Sequence, residues 1–145
     1  MKYLLDASAL LPLVTRRGKQ LIIEASRENL VTTDLAVYEA CNSLWKLATL
    51  LKLISLGDAV DVATVLKELT IRNVIELIDC TKLDFSLTLR MACKENLTFY
   101  DASFIKTAES IGAVLVTEDE KLEEAARKSA KTMTCREFER ALAEQ

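Results

Sequence analysis

The sequence predicts an α/β fold in which helices cover both faces of a mostly parallel sheet. Short apolar runs alternate with longer stretches of helical periodicity along the chain, and this alternation is typical of βαβ units. Glycine (3 residues) and proline (1 residue) are scarce, which leaves little material for flexible linkers. We find no internal repeat, and we therefore expect residues 1–145 to form a single domain.

Five apolar runs have the length and composition of buried strands. The first, Tyr3-Leu4-Leu5, stops at Asp6, and the clearest is the β-branched run Ala113 to Val116, which Thr117-Glu118-Asp119 follows. The other predicted strands are Leu30 to Thr32, Val74 to Ile78 and a weak strand at Lys131 to Met133. Crossovers between parallel strands of such a sheet should be right-handed.

Helical periodicity fills the segments between these strands. Gly57-Asp58 predicts the start of the third helix, and Gly112 predicts the end of the fifth. The predicted helices cover residues 15–28, Asp34 to Leu53, Gly57 to about Leu69, 82–95, Asp101 to Gly112, Glu120 to Ser129 and a terminal segment. In the second helix, the residues at helical spacing are Leu35, Tyr38, Cys41, Asn42, Trp45 and Ala48 or Thr49.

The composition excludes several kinds of site. A net charge of -3 gives no overall attraction for a polyanion, so any RNA contact must rest on local basic residues or on bound metal. The chain has no histidine, which removes the commonest general base and the commonest transition-metal ligand. Hard cations that bind oxygen remain compatible with the sequence.

The cysteines and the apolar runs bear on the location of the protein. Cys41, Cys80, Cys93 and Cys135 form no Cys-x-x-Cys pair, so we expect buried, reduced thiols rather than a zinc site. A disulfide stays open if the source is a hyperthermophile. The apolar start is too short for a signal peptide and is broken by Asp6, and no run approaches the ~18 apolar residues of a membrane span. We therefore expect a cytoplasmic protein without a membrane anchor.

Acidic residues follow two of the predicted strands. Ligands of open parallel sheets bind beyond the carboxyl ends of the strands. Asp6 and Asp119 follow predicted strands and should face that rim, where they can share a site if the two strands are neighbours. Asp101 starts a predicted helix, where an N-cap role is the structural alternative. Glu39 lies beside Tyr38 on a helix, and an acid near an apolar face needs a partner. Taken singly, each acid is more often a cap or a solvated side chain than a ligand.

Several carboxylates at one rim predict a bound cation. Their mutual repulsion is costly unless a multivalent ion neutralises it. Oxygen ligands without His or Cys favour Mg²⁺ or Mn²⁺ over zinc. Such an ion can polarise a phosphoryl oxygen and activate water, with one or two ions in the site. Hydrolysis of a phosphodiester fits this donor set.

Four short motifs carry a family resemblance. In chain order they are Leu5-Asp6-Ala7-Ser8-Ala9-Leu10, Glu39-Ala40-Cys41-Asn42-Ser43-Leu44-Trp45, Tyr100-Asp101-Ala102-Ser103 and Leu115-Val116-Thr117-Glu118-Asp119. In their order and spacing the chain resembles PIN-domain proteins, and within that group it is most similar to the VapC toxins of prokaryotic type II toxin–antitoxin pairs. Each motif alone is weak, but the four together span almost the whole chain.

The resemblance implies a fold, a site and partners. The implied fold is a three-layer α/β/α sandwich with a mostly parallel five-stranded sheet. Mg²⁺ or Mn²⁺ would be held by Asp6 and Asp101, with Glu39 and Asp119 completing the acidic site of an endoribonuclease. Ser8, Asn42 and Thr117 match polar positions beside these acids, and their alternatives are turn hydroxyls and a helix polar contact. Family members are commonly homodimers, inhibited by an antitoxin that inserts side chains into the acidic cleft.

Basic and apolar segments add weaker expectations. Arg16, Arg17 and Lys19 follow the first strand and are candidates for RNA phosphate contacts, with a solvated helix start as the alternative. The leucine-rich segment from Leu44 to Leu53, with Val60 to Leu66, is either core or a dimer or antitoxin surface. The mixed charges between Glu120 and Lys131 suit an exposed helix, to which we assign no function.

Two other readings compete with the nuclease. A degenerate PIN scaffold would bind RNA or protein without cutting, and its mark would be the loss of an acid. An aspartyl-phosphate protein of the receiver or haloacid-dehalogenase-like kind would share the parallel sheet. The latter class needs a second acid two residues after the nucleophile, where this chain has Ser8. We rank the nuclease first, the scaffold second and aspartyl-phosphate chemistry third.

Overall fold

Five parallel strands form the central sheet of the molecule. The computed structural model describes residues 1–24 and 29–144, and within them the strand order is β3-β2-β1-β4-β5. Tyr3 pairs with Leu30 on one side and with Val114 on the other, so β1 is the middle strand. The strands are β1 (Lys2–Leu5), β2 (Asn29–Thr33), β3 (Ile75–Ile78), β4 (Val114–Val116) and β5 (Thr132–Met133). The predicted α/β fold with a parallel five-stranded sheet is confirmed.

Helices connect the strands. They are α1 (Ala7–Glu24), α2 (Asp34–Trp45), α3 (Leu56–Ile71), α4 (Phe85–Glu95), α5 (Phe99–Ile111), α6 (Glu120–Ala126) and α7 (Cys135–Ala143). A π-helical segment, Lys46–Leu50, continues α2, and a 3-10 turn, Cys80–Lys82, follows β3. In the described part of the chain, no helix is long and apolar enough to cross a membrane.

The core lies on the two faces of the sheet. Leu4 and Leu5 of β1 are fully buried, as are Leu115 and Val116 of β4, because strands covered on both faces have no solvated side. Helix α7 closes the sheet near β1, where the rings of Tyr3 and Phe138 pack with centroids 5.0 Å apart. Strands β1 and β4 are parallel neighbours, and Leu5 pairs with Val116. Their carboxyl ends therefore lie side by side at one edge of the sheet.

Helix α1 begins much earlier than the predicted residue 15. It starts at Ala7, directly after Asp6, and it contains Pro12. The Asp6 side chain accepts the N–H of Ala9 (3.0 Å), which is how an N-cap residue satisfies a free amide of the first turn. This capping role of Asp6 comes in addition to its predicted place at the end of a strand and in the acidic site. The predicted end of this helix at residue 28 lies outside the described residues.

Hydroxyl residues start three helices at which the sequence analysis chose acids or glycine. Thr33, Ser55 and Thr98 cap α2, α3 and α5 by accepting amides three residues ahead. The predicted starts at Gly57-Asp58 and at Asp101 are therefore late by one and two residues. A serine or threonine cap is as favourable as an acid, so the sequence alone leaves the choice open.

The buried face of α2 differs from the predicted one. The structure buries Ala36, Ala40 and Leu44, spaced four residues apart, whereas Tyr38 is 78% exposed and Trp45 is 51% exposed. The large aromatic residues misled the prediction, because small residues let this helix approach the sheet closely. The expectation of buried cysteines is likewise wrong for three of the four. All four thiols are free, but only Cys135 is buried.

Candidate active site

One cleft at the carboxyl edge of the sheet contains all four predicted acids. This acidic cleft has a volume of about 390 Å³. Its polar and charged lining residues are Asp6, Ser8, Glu39, Asn42, Ser43, Lys46, Asp101 and Asp119. The acids come from four different elements, so the tertiary fold brings together residues that are far apart in sequence.

Asp6 is the buried centre of the cleft. Its Oδ1 accepts hydrogen bonds from the Ser8 hydroxyl (2.7 Å) and from the Ala9 N–H (3.0 Å). Its Oδ2 accepts the Thr117 hydroxyl (2.5 Å). An ionised carboxylate offers about four lone-pair positions, so three bonds orient the group and leave roughly one position for a ligand.

Two hydroxyls join Asp6 to the loop after β4. The Ser8 Oγ accepts the N–H of Glu118 (2.9 Å), and the Thr117 Oγ1 accepts the N–H of Asp119 (3.0 Å). Each hydroxyl therefore donates to Asp6 while it accepts from the loop backbone. The predicted positions of Ser8 and Thr117 beside the first and last acids agree with this arrangement, and their contacts are with the acid as well as within the turn.

The N-cap role that the sequence suggested for Asp101 is taken by Thr98, whereas Asp119 caps a helix that had no predicted cap. Asp119 is the N-cap of α6 and accepts the N–H of Leu122 (3.1 Å). Asp101 lies in the first turn of α5, where Thr98 is the cap and accepts the Asp101 N–H (3.0 Å). The N-cap reading of Asp101 is thus wrong. Asp101 lines the cleft and does not cap the helix.

The carboxylates raise one another's pKa values. Burial raises the pKa of Asp6, and the charge of Asp119 adds to the rise against the hydrogen bonds from Ser8, Thr117 and Ala9. Glu39 is exposed overall, but the lost hydration of its carboxyl group raises its pKa, and the charges of Asp6 and Asp101 raise it further. This mutual repulsion is the electrostatic mark of a site that attracts cations.

Asp101 follows the same pattern with one opposing charge. The lost hydration of its carboxyl group raises its pKa, and the charge of Asp119 adds to that rise. The charge of Lys121 and a hydrogen bond with Thr98 act in the opposite direction. Lys121 therefore offsets part of the negative charge on this side of the cleft.

The donor set fits a hydrated hard cation better than a closed metal cage. Among residues 1–24 and 29–144, no three His, Cys, Asp or Glu side chains lie close enough together to hold a metal ion. Mg²⁺ retains several waters and is commonly bound by only one or two carboxylates. The carboxylates and hydroxyls of the lining, which contains no histidine or cysteine among the described residues, and the raised pKa of Glu39 agree with such an ion.

The predicted basic residues do not reach this cleft, whereas one unpredicted lysine does. Arg16 forms an ion pair with Glu139 (2.8 Å), and Arg16 and Lys19 line a different groove. Arg17 does not line the acidic cleft. Lys46 lines the cleft. Its sequence signal was its spacing, since it follows Glu39 by seven residues, or two helical turns.

A second depression, the apolar groove, lies between α1, α2 and α3. Its volume is about 660 Å³, and its apolar lining comprises Leu11, Val14, Leu44, Leu47, Ile54, Val62 and Val65. The segments predicted as an interface expose Trp45, Leu50, Leu51, Leu53 and Val60, and Leu56 between them is exposed as well. Only Leu44 and Leu66 of the predicted surface are buried core residues.

Comparisons with known proteins agree with this geometry. The family model described as PIN domain matches residues 3–128. Exonuclease VapC9 of Pyrobaculum aerophilum is 39% identical over 123 residues, which are 84% of this chain and 84% of that relative. Ribonuclease VapC3 of the same organism is 35% identical over 131 residues, which are 86% of this chain and 94% of that relative.

Two solved structures show the same architecture. The crystal structure of PAE2754 from Pyrobaculum aerophilum aligns with a TM-score of 0.77 and 33% identity, covering 100% of this chain and 98% of that one. The structure of VapBC-1 from nontypeable Haemophilus influenzae aligns with a TM-score of 0.58 and 16% identity, covering 94% and 99%. At that identity the second likeness concerns the fold alone.

Proposed function

The chain belongs to the PIN-domain family, and from this premise we propose that it is a Mg²⁺- or Mn²⁺-dependent endoribonuclease, the toxin of a toxin–antitoxin pair. The observation that carries the proposal is the convergence of Asp6, Glu39, Asp101 and Asp119 on one cleft. The names of the two relatives, an exonuclease and a ribonuclease, support nuclease chemistry. They leave the mode of cutting to experiment.

Each residue has a role in this proposal. Asp6 and Asp101 would hold the ion, and Glu39 and Asp119 would complete its surroundings. The bound ion would polarise a phosphoryl oxygen of the substrate and lower the pKa of a bound water. Ser8 and Thr117 fix the Asp6 carboxylate through their hydroxyls.

Glu39 is the proposed proton acceptor of the cleft. Its pKa is raised, which makes its carboxylate a stronger base than that of a free glutamate. It lies on α2, the opposite side of β1 from the loop that carries Asp119. Asn42, one turn further along α2, lines the same cleft and offers an amide for hydrogen bonding to the substrate.

A circular RNA gives the sharpest test. We expect purified protein to cut a covalently closed single-stranded RNA with Mg²⁺ or Mn²⁺, to stop in EDTA, and to lose activity in Asp6→Asn. Asp84→Asn is the matched control, because Asp84 caps α4 away from the cleft and Asn caps equally well. If the protein degrades linear RNA but not the circular RNA, the activity is that of an exonuclease and not of an endonuclease. If cutting persists in EDTA and in Asp6→Asn, the proposed metal-dependent mechanism is wrong.

A non-cleaving scaffold is the second candidate. It is favoured by the lack, within the described ranges, of three side chains already close enough to hold a metal ion. The two candidates differ in the response of the protein to metal alone. If the acids bind Mg²⁺, the melting temperature at neutral pH should rise with Mg²⁺ concentration by mass action, whereas a scaffold without a metal site should show no such rise.

The proposed partners are a second copy of the chain and a small antitoxin. The exposed apolar side chains from Trp45 to Val60 and the apolar groove support protein contacts on this side of the molecule. Light scattering at micromolar concentration should report about twice the 16.2 kDa chain mass. A monomer would remove the dimer without touching the nuclease. We also propose a cytoplasmic location, which the four free thiols support.

A further inference from the structure

Lys46 stands out among the residues that line the acidic cleft. It is the one cation of that lining among the described residues. Its side chain is exposed and forms no ion pair within residues 1–24 and 29–144. Four carboxylates line the same cleft, so acidic partners are present in it. Because Lys46 forms an ion pair with none of these four described side chains, its charge is available to a ligand in the cleft.

The helix geometry places Lys46 over Glu39. Residues seven apart on an α-helix return to nearly the same face, about 10 Å further along the axis. Lys46 is the C-cap of α2, and its N–H bonds to the carbonyls of Asn42 and Ser43. The Lys46 carbonyl then accepts the N–H of Leu51 (2.9 Å), five residues ahead, in a π-helical turn. Such turns occur often at functional sites.

The charge of the cleft creates a problem for an RNA substrate. A metal ion neutralises the phosphate that it contacts, but the neighbouring phosphates still meet the field of the carboxylates. Two other basic residues do not line the cleft: Arg16 is paired with Glu139, and Lys121 lies close enough to Asp101 to lower the pKa of that carboxyl group. Lys46 is left at the far end of the α2 face that carries Glu39 and Asn42.

We propose that Lys46 binds a phosphate of the RNA strand that neighbours the reacting one, and so positions the strand across the cleft. This inference rests on the proposed ribonuclease function. The ligand is a phosphodiester of single-stranded RNA. An ammonium at this position attracts a phosphate by its charge and has no preference for a base sequence. Because the attraction is electrostatic, its effect should fall as salt rises.

The test compares Lys46→Gln with Lys67→Gln. Lys67 is an exposed lysine of α3 that forms no ion pair in the described part of the chain and does not line the cleft. At low salt we expect Lys46→Gln to raise KM about tenfold with kcat nearly unchanged, and to lower the salt slope of RNA binding by about one. Lys46→Arg should retain most of the affinity, and Lys67→Gln should behave as wild type.

Each outcome decides a different claim. RNA binding is measured by fluorescence anisotropy in an Asp6→Asn background, and cutting is measured with Asp6 intact. If the wild type cuts RNA but Lys46→Gln and Lys67→Gln give equal KM values and equal salt slopes, this inference is overturned and the nuclease stands. A fall in kcat alone, with KM and the salt slope unchanged, also overturns it. If the wild type neither binds nor cuts RNA, the proposed function fails and this inference with it.

Discussion

The acidic cleft and the apolar groove share helices α1 and α2 but are built by opposite means. Leu11 lines both depressions. In the cleft, hydroxyls and amides orient charged groups whose pKa values are raised. In the groove, buried and half-buried leucine and valine side chains form the wall, and Gly18 allows α1 and α3 to approach. The repulsion between the carboxylates of the cleft lowers the stability of the fold, and apolar packing elsewhere must offset that loss. The residues proposed for chemistry and the residues that stabilise the fold therefore lie in different parts of the molecule.

The largest expected effect is on the cleft side. Asp101→Asn keeps the side chain's size but removes the charge of a proposed metal ligand that does not cap its helix. We expect RNA cleavage to fall at least about 100-fold, since even outer-shell losses at metal sites reach that size. Mg²⁺ should then stabilise the variant less than the wild type. Full activity in this variant would return Asp101 to a purely structural role.

A smaller effect is expected when the support of Asp6 is weakened. Thr117→Val removes the hydroxyl that donates to Asp6 and accepts the Asp119 N–H. We expect activity to fall about 10- to 100-fold and stability to fall by about 1 to 3 kcal/mol, because the buried Asp6 carboxylate and the partly buried Asp119 N–H each lose a bond. Thr64→Val on α3 is the control, since its hydroxyl bonds only to the Val60 carbonyl. Equal activities of both variants would show that Thr117 does not orient the site.

We expect a substitution in the apolar groove to change the stability of the protein rather than its activity. A Cβ added at Gly18 would lie 2.6 Å from Cγ1 of Val65, whose branched side chain is stiff. Gly18→Ala should destabilise by about 1 to 2 kcal/mol, after the helix preference of Ala offsets part of the overpacking. Gly57→Ala meets only the Ser55 Oγ at 3.7 Å and should be neutral or stabilising. Urea titrations compare the two, and a stable Gly18→Ala would mean that α1 and α3 adjust freely.

The smallest effect is a difference in pH dependence between wild type and Asp101→Asn without metal. The folded-state pKa values of Asp6, Glu39 and Asp101 are raised. Such acids add no destabilisation below their unfolded pKa, near 4, and they destabilise as pH rises through the folded one. Metal-free Asp101→Asn should therefore melt at or above the wild-type temperature at pH 7, and the gap should close on acidification. A variant that melts well below wild type at pH 7 would contradict this sign.

The strands and the acids were predictable because their signals are local. A continuous apolar run such as Ala113 to Val116 has few alternatives to a buried strand, and Asp6 and Asp119 follow from the strand ends. Helix starts were less predictable, since Thr98 and Asp101 are both acceptable caps and only packing decides between them. Lys46 was not predicted, because its spacing from Glu39 places the two residues on one helix face but does not show that this face lines the cleft.

The bond between Thr117 and Asp6 joins residues 111 positions apart, and this has a consequence for synthesis. A ribosome adds about 5 to 20 residues per second, so Asp6 is added to the chain roughly 6 to 22 seconds before Thr117. Strand β1 also cannot form its backbone pairing with β4, its neighbour in the sheet, until β4 has been made. A nascent chain, or a variant truncated before Thr117, therefore carries the first acid without this bond, and the proposed activity begins only after residue 117 has been made.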